Sequence, residues 1–327
     1  MPLRQTTATP IILNRLLRQS RSLRLICAFP TALLMGATLA QAAGKPTSVR
    51  SKPVADILAA SKPQEWRTLD PENTLYLELP AGRVVMELAP DFAPEHVRNI
   101  KTLVREKYFD GLSILRAQDN YVVQWGDPND EEASAKSLGN AKATLPPEYT
   151  ARITPSIPFT KLPDGDGYAP VVGFSNGFPV GRNTATGQTW LTHCYGALGV
   201  ARGNESTSGN GSGLYVIVGH APRHLDRNIA VVGRVVQGMD KLSVMPRGTG
   251  PLGFYEKPEQ RTTLKSMVLL ADVPAAERTA LEVLRTDSAS FAAVANARRN
   301  RLDDWNTVPA GHIELCNVTI PVRTPKN

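Results

Sequence analysis

Two short apolar runs bracket a glycine turn early in the chain. Leu75-Tyr76-Leu77-Glu78-Leu79-Pro80 is followed by Ala81-Gly82 and then Arg83-Val84-Val85-Met86-Glu87-Leu88, which reads as a β-hairpin. Pro90 and Pro94 introduce a helix over 95–106, with Val97, Ile100, Leu103 and Val104 on one face. After a Tyr108-Phe109-Asp110-Gly111 turn, 112–116 and 121–125 read as strands. The rhythm then breaks. Residues 128–195 are rich in Pro, Gly, Asp and Thr, with only short apolar runs such as Val171-Val172-Gly173-Phe174. They are expected to form a long, loop-rich insertion. Strands resume at 196–201, 214–218, 229–236 and 263–271. A helical pair is expected over 275–284 and 288–301, with Ser288 or Asp287 capping the second helix. A last strand is expected over 313–322, and a short helix over 54–62 stopped by Pro63. Eight or so short strands with a helix after the first hairpin suggest a mainly β fold, a closed antiparallel barrel.

Composition adds little to this, but the N-terminus adds much. The 327 residues are 42% hydrophobic and 20% charged, ordinary for a globular protein. Arg4, Arg15, Arg18, Arg21 and Arg24 precede an apolar stretch from Leu25 to Leu39, and Ala40-Gln41-Ala42 supplies a small-residue cleavage site. This is the pattern of a secretory signal, so cleavage near Ala42 and a periplasmic mature protein are expected. The stretch contains Pro30 and is too short to span a bilayer comfortably, so no stable membrane insertion is expected after cleavage. Removing the five arginines from the net charge of +7 leaves +2, and no Lys/Arg run interleaved with aromatics follows residue 50. Nucleic acid is therefore not an expected partner. Past the signal, Cys194 and Cys316 remain, an even pair. In an oxidising compartment they suggest one disulfide; two buried free thiols are the alternative. His193 beside Cys194, or His220 with His224, lacks the further ligands that a metal site needs, and no cofactor is implied.

Two segments carry a more specific signal. The first holds Ala93-Pro94, Asn99, Tyr108-Phe109-Asp110-Gly111, Leu115-Arg116 and Tyr121-Val122-Val123-Gln124-Trp125-Gly126-Asp127. The second holds Leu198-Gly199-Val200-Ala201-Arg202-Gly203, Asn210-Gly211-Ser212-Gly213-Leu214-Tyr215-Val216, His224-Leu225-Asp226 and Val231-Val232-Gly233-Arg234-Val235. In order and spacing these resemble the cyclophilin family of peptidyl-prolyl cis-trans isomerases over roughly 75–127 and 196–271. The resemblance implies an eight-stranded cyclophilin-like barrel capped by helices. It divides the chain into a signal (1–42), a leader (43–74), an isomerase domain (75–272) carrying the 128–195 insertion, and a C-terminal helical extension (273–327) packed on the barrel.

The chemistry it implies needs no nucleophile. Rotation about an X–Pro bond faces a barrier of about 18–20 kcal/mol, set by amide conjugation. A donor that hydrogen-bonds the prolyl nitrogen as it pyramidalises lowers that barrier. The resemblance assigns the donor to Arg116, with Gln124 orienting it and holding a substrate carbonyl. Tyr121, Val122, Tyr215 and Leu225 become walls of an apolar proline slot. Ala201 and Arg202 lie where the backbone pairs with substrate, and His224 and Ile229 complete the rim. Proline-containing segments of unfolded or exported proteins are the implied partners, and a monomer is expected.

Departures from the family pattern accompany the match. Leu115 stands for His, Gly213 for Gln, His224 for Trp, Ile229 for His, Val232 for Phe, and Asp119-Asn120 for Pro-Gly. They imply a wider slot, reduced but retained activity, and weak inhibition by cyclosporin. The competing reading is a catalytically weak or inactive peptide-binding or assembly protein of the cell envelope. Hydrolase readings fit less well: 203–213 lacks a Gly-Lys-Ser/Thr phosphate signature, and Ser212 lacks a nucleophile elbow.

Overall fold

The first hairpin explains its own unbroken apolar reading. Helix α1 (Val54–Ala59) and strand β1 (Trp66–Thr68) lead into β2 (Thr74–Leu79) and β3 (Gly82–Leu88) in this computed structural model, which describes residues 50–130 and 133–325. The expected signal and its cleavage site lie outside the described residues. Leu75, Leu77, Leu79, Val84, Met86 and Leu88 enter one buried cluster, whereas Tyr76 and Val85 enter a second on the other face. The hairpin is therefore covered on both sides, and strict alternation is lost. Gly82 turns the chain at φ +119°, a conformation that glycine adopts without a steric cost.

Helix α2 (Pro94–Arg105) follows, with Pro94 at its first turn and Val97, Ile100, Leu103 and Val104 buried. Its N-terminus has no cap from its own segment. Glu148, from the insertion, accepts the backbone N–H groups of Glu95 and His96 at 3.0 and 2.9 Å. Strands β4 (Ser113–Ala117) and β5 (Val122–Gly126) come next.

The insertion is loop-rich, as expected, but it also carries a sheet of its own. It contains β6 (Ala151–Arg152), β7 (Thr160–Lys161), β8 (Val171–Ser175), β9 (Phe178–Asn183) and β10 (Gln188–Leu191), paired as a five-stranded sheet in the order β6-β10-β9-β8-β7. The centre of that sheet is a hairpin turning through Asn176 and Gly177, both at positive φ, a strong short-range hairpin signal. Its strands are brief and turn-rich, so composition masked them.

Beyond it lie β11 (Ala197–Val200), β12 (Leu214–Ile217), β13 (Val231–Gln237), helix α3 (Met239–Ser243), β14 (Thr262–Thr263) and β15 (Ser266–Leu269). The main sheet runs β14-β4-β5-β12-β11-β13-β3-β2-β15, nine antiparallel strands. Its two edge strands are separated in sequence only by Leu264 and Lys265, so the sheet curls round the cluster that includes Trp125, Phe109 and Leu214. The fold is mainly β, as expected.

The C-terminal segment departs from its reading. Residues 275–284 are not a helix: a 3₁₀ turn (Ala275–Glu277) gives way to β16 (Glu282–Leu284). Of the strand expected over 313–322, the ladder takes only β17 (Val322–Arg323), after a 3₁₀ turn at Leu315–Asn317. Helix α4 (Ala289–Arg299) is present, and Ser288 caps it by accepting the N–H of Phe291 at 3.1 Å. β16 pairs with β1 on one side and β17 on the other, so leader and C-terminus build one small sheet. Runs this short cannot be told apart by periodicity, and distant pairing decides them. Cys194 and Cys316 are joined in a disulfide, tying the end of the insertion to this segment.

Candidate functional site

Antiparallel register lines up the central side chains. Arg116 on β4 faces Gln124 on β5, Gln124 faces Tyr215 on β12, and Tyr215 faces Gly199 on β11. Alternation sends Val123 and Trp125 into the sheet's interior cluster, which leaves Val122 and Gln124 on the outer face. One row thus crosses four strands on that face.

Arg116 is half-buried and held from three directions. Its Nε donates to the Leu252 carbonyl at 2.7 Å, Nη1 to Gln124 Oε1 at 3.3 Å, and Nη2 to Gln118 Oε1. Its Cζ lies 5.4 Å from the Tyr121 ring centroid and 5.3 Å from that of Phe254. Among the described residues, every acceptor on this guanidinium is uncharged. Burial moves its pKa below the ordinary arginine value, the Tyr121 hydroxyl acting slightly the other way, and the group stays a cation. The segment bearing Leu252 and Phe254 is fastened to β4: Tyr255 N donates to Leu115 O at 2.9 Å and Gly248 N to Ala117 O at 3.0 Å.

Beside this row lies an apolar cluster. Val122, Tyr215 and Val231 are buried in it, with Tyr121, Ala201 and Ile229 packed against it, and the insertion adds Ile157, Phe178, Val180 and Leu191. Ala201 N donates to Gly213 O at 2.9 Å, and a side chain at Gly213 would place its Cβ 3.2 Å from that of Ala201. Leu225, half-buried, and His224, exposed, sit on the 3₁₀ turn Arg223–Leu225. The side chain of Arg202 is occupied elsewhere. It donates to Asn228 O at 2.8 Å and Gly203 O at 2.8 Å, fastening two loops together.

The structure adds partners that sequence reading missed. Gln118 follows Arg116 at the same-face spacing of a strand, a usable signal. Leu252 and Phe254 arrive from more than 130 residues away and left none. The Tyr215 hydroxyl meets His193 Nε2 at 2.9 Å, where the sequence had offered His193 only as an insufficient metal ligand.

A model of the cyclophilin type peptidyl-prolyl cis-trans isomerase/CLD family matches residues 74–268. This chain belongs to the cyclophilin family. Its enzyme class is peptidyl-prolyl cis-trans isomerase, whose ligands are proline-containing peptides. Probable peptidyl-prolyl cis-trans isomerases of Brucella suis and Brucella abortus are 29% and 28% identical to this cyclophilin over 187 residues. Each match covers 55% of this chain and 74% of the relative. The crystal structure of cyclophilin AquaCyp293 from Hirschia baltica superposes with a TM-score of 0.63 at 26% identity, covering 85% of this cyclophilin and 100% of that chain. The likeness in shape thus reaches well beyond the matched domain.

Proposed function

We propose that this cyclophilin assists the folding of exported proteins, with Arg116 as the donor to the twisting prolyl nitrogen. The observation that carries this reading is the uncompensated charge of Arg116 at the end of the row Arg116–Gln124–Tyr215. A guanidinium braced only by amides, a carbonyl and ring faces keeps its charge available for a lone pair that develops on nitrogen. Only interactions stronger in the twisted state speed the step. Gln124 orients the donor, and Tyr121, Val122, Tyr215 and Leu225 wall the slot for the prolyl ring. The backbone at Ala201 and Arg202 is assigned to the substrate chain, while the Arg202 side chain is turned to the loops. The Cys194–Cys316 disulfide supports a periplasmic destination, since such bonds persist in oxidising compartments. The mass of the protein recovered from a periplasmic fraction checks this; it should begin at Ala43.

The test of mechanism is isomerisation of an Ala-Pro and a Leu-Pro peptide by protein starting at Ala43. A rate above background that falls at least about tenfold in Arg116→Ala, a loss of about 1.4 kcal/mol, supports the reading. One feature favours a second reading, a peptide-binding protein with little catalysis: Nε, Nη1 and Nη2 of Arg116 each already have an acceptor. Absence of activity in a well-folded wild-type sample would select it.

A further inference from the structure

Tyr215 occupies its place by virtue of two neighbours. The first is Gly199: a Cβ there would fall 2.2 Å from Tyr215 Cζ and 2.3 Å from its Oη, so the ring lies across a space that only glycine leaves open. The second is His193, at the end of the insertion and fully buried. The Tyr215 hydroxyl reaches His193 Nε2 at 2.9 Å, and the two rings lie nearly parallel at 9°.

His193 is itself fixed. Its backbone N and its Nδ1 both lie 3.0 Å from Asp226 Oδ1. The other carboxylate oxygen of Asp226 accepts from Arg223 Nε at 2.6 Å, and Arg223 Nη1 and Nη2 donate to Asp166 at 2.9 and 3.2 Å. Burial works against ionising Asp226, yet its bonds to His193 and Arg223 hold its pKa below the ordinary aspartate value. A carboxylate facing Nδ1 assigns the ring proton to that nitrogen and leaves Nε2 as an acceptor. Burial pushes the Tyr215 phenol well above its ordinary pKa, so it stays protonated and donates. Every contact in the chain Tyr215–His193–Asp226–Arg223–Asp166 is thus a donor meeting an acceptor, and the disulfide at Cys194 anchors its insertion end.

We propose that His193 is a positioning residue for the isomerase site: through the Tyr215 hydroxyl it fixes that ring as one wall of the proline slot, so that the insertion sets how well prolyl substrates fit. This rests on the assignment of Tyr215 to the slot made above. A ring held in one rotamer presents a ready surface, whereas a released ring must be ordered anew each time a substrate binds. The prolyl ring touches that wall before and during rotation about the bond. The effect therefore falls on KM more than on kcat.

The experiment measures KM and kcat for a Leu-Pro peptide by exchange spectroscopy, using the disulfide-bonded protein from Ala43 and four single variants. Tyr215→Phe removes the hydroxyl. His193→Asn keeps a donor near Asp226 but withdraws the acceptor from Tyr215. His193→Gln restores an oxygen where Nε2 stood. Arg116→Ala reports on the site itself. Tyr215→Phe and His193→Asn should each raise KM about fivefold, with kcat within about twofold, the scale of one buried hydrogen bond. Their double variant should be no worse than either alone, because both delete the same bond. His193→Gln should return KM to within about twofold of wild type. Loss of activity in Arg116→Ala with wild-type KM in Tyr215→Phe and His193→Asn would overturn this inference alone. It would likewise fall if His193→Gln were as impaired as His193→Asn. Full activity in Arg116→Ala would overturn the assignment of the site, and this inference with it.

Discussion

Two arginines of this cyclophilin sit in opposite electrostatic settings. Arg223, 5% exposed, is clamped between Asp166 and Asp226, and its charge is cancelled where it stands. Arg116 is braced by Leu252 O, Gln118 and Gln124, none of them charged. Each has an aromatic ring at nearly the same distance, Tyr168 at 5.2 Å and Phe254 at 5.3 Å. The difference lies in the carboxylates. A neutralised guanidinium organises the fold around it but has little field left for a ligand. One held by neutral dipoles keeps its geometry and its charge together, as a donor to a transient lone pair requires.

The sharpest break of this contrast is Asp226→Ala, which leaves Arg223 and His193 without their shared partner. Removing one member of a buried ion pair costs about 3–5 kcal/mol, and urea unfolding should show a loss of that order. The same carboxylate predicts a pH dependence. Burial opposes its ionisation, but His193 and Arg223 outweigh that and depress the folded-state pKa. The stabilisation is therefore complete above the ordinary aspartate range and is lost as pH falls below about 4, through the folded value. The melting temperature should fall more steeply from pH 5 to pH 3 in wild type than in Asp226→Asn. Equal slopes would show that Asp226 contributes nothing to acid sensitivity.

Next in size is Arg116→Lys, which separates charge from fork geometry. Lysine keeps a cation but cannot reach the Leu252 carbonyl and both amides at once. Its kcat/KM should lie between those of wild type and Arg116→Ala. Activity equal to the alanine variant would mean that geometry, not charge, distinguishes Arg116 from Arg223.

The two arginines also differ in how far the sequence revealed them. Arg116 stands eight residues before Gln124 within contiguous motifs, and strand register alone brings the two together. The hairpin, α2 and the strands on either side of the insertion were legible for the same reason: local periodicity and local pairing agree. The Arg223 cluster draws on residues 166, 193 and 226. Asp226 lies three residues beyond Arg223, but no short-range pattern announces that Asp166 and His193 join them when the insertion folds back. The insertion's own sheet carried one visible sign, Asn176-Gly177 between apolar runs, outweighed by the polar composition around it. At the C-terminus, 282–284 became a strand because β1 and β17 flank it, a tertiary decision that overrides local propensity.

The smallest effect compares the two rings. Phe254 is 37% exposed and bridges Arg116 backbone to backbone, so its loss should loosen the guanidinium without unfolding the main sheet. A cation over an aromatic face at a partly exposed site is worth about 0.5–1 kcal/mol. Phe254→Ala should thus lower kcat/KM about twofold to fivefold, and Phe254→Tyr, which keeps a ring face, should recover most of it. The counterpart is Tyr168→Ala. Tyr168 is 54% exposed over an arginine already held by two carboxylates, so that change should leave kcat/KM as in wild type and shift stability by less than about 0.5 kcal/mol. Equal loss of activity in both variants would mean that the rings act through general packing. Loss in Phe254→Ala alone would show that an aromatic face matters where the arginine's charge is left uncancelled.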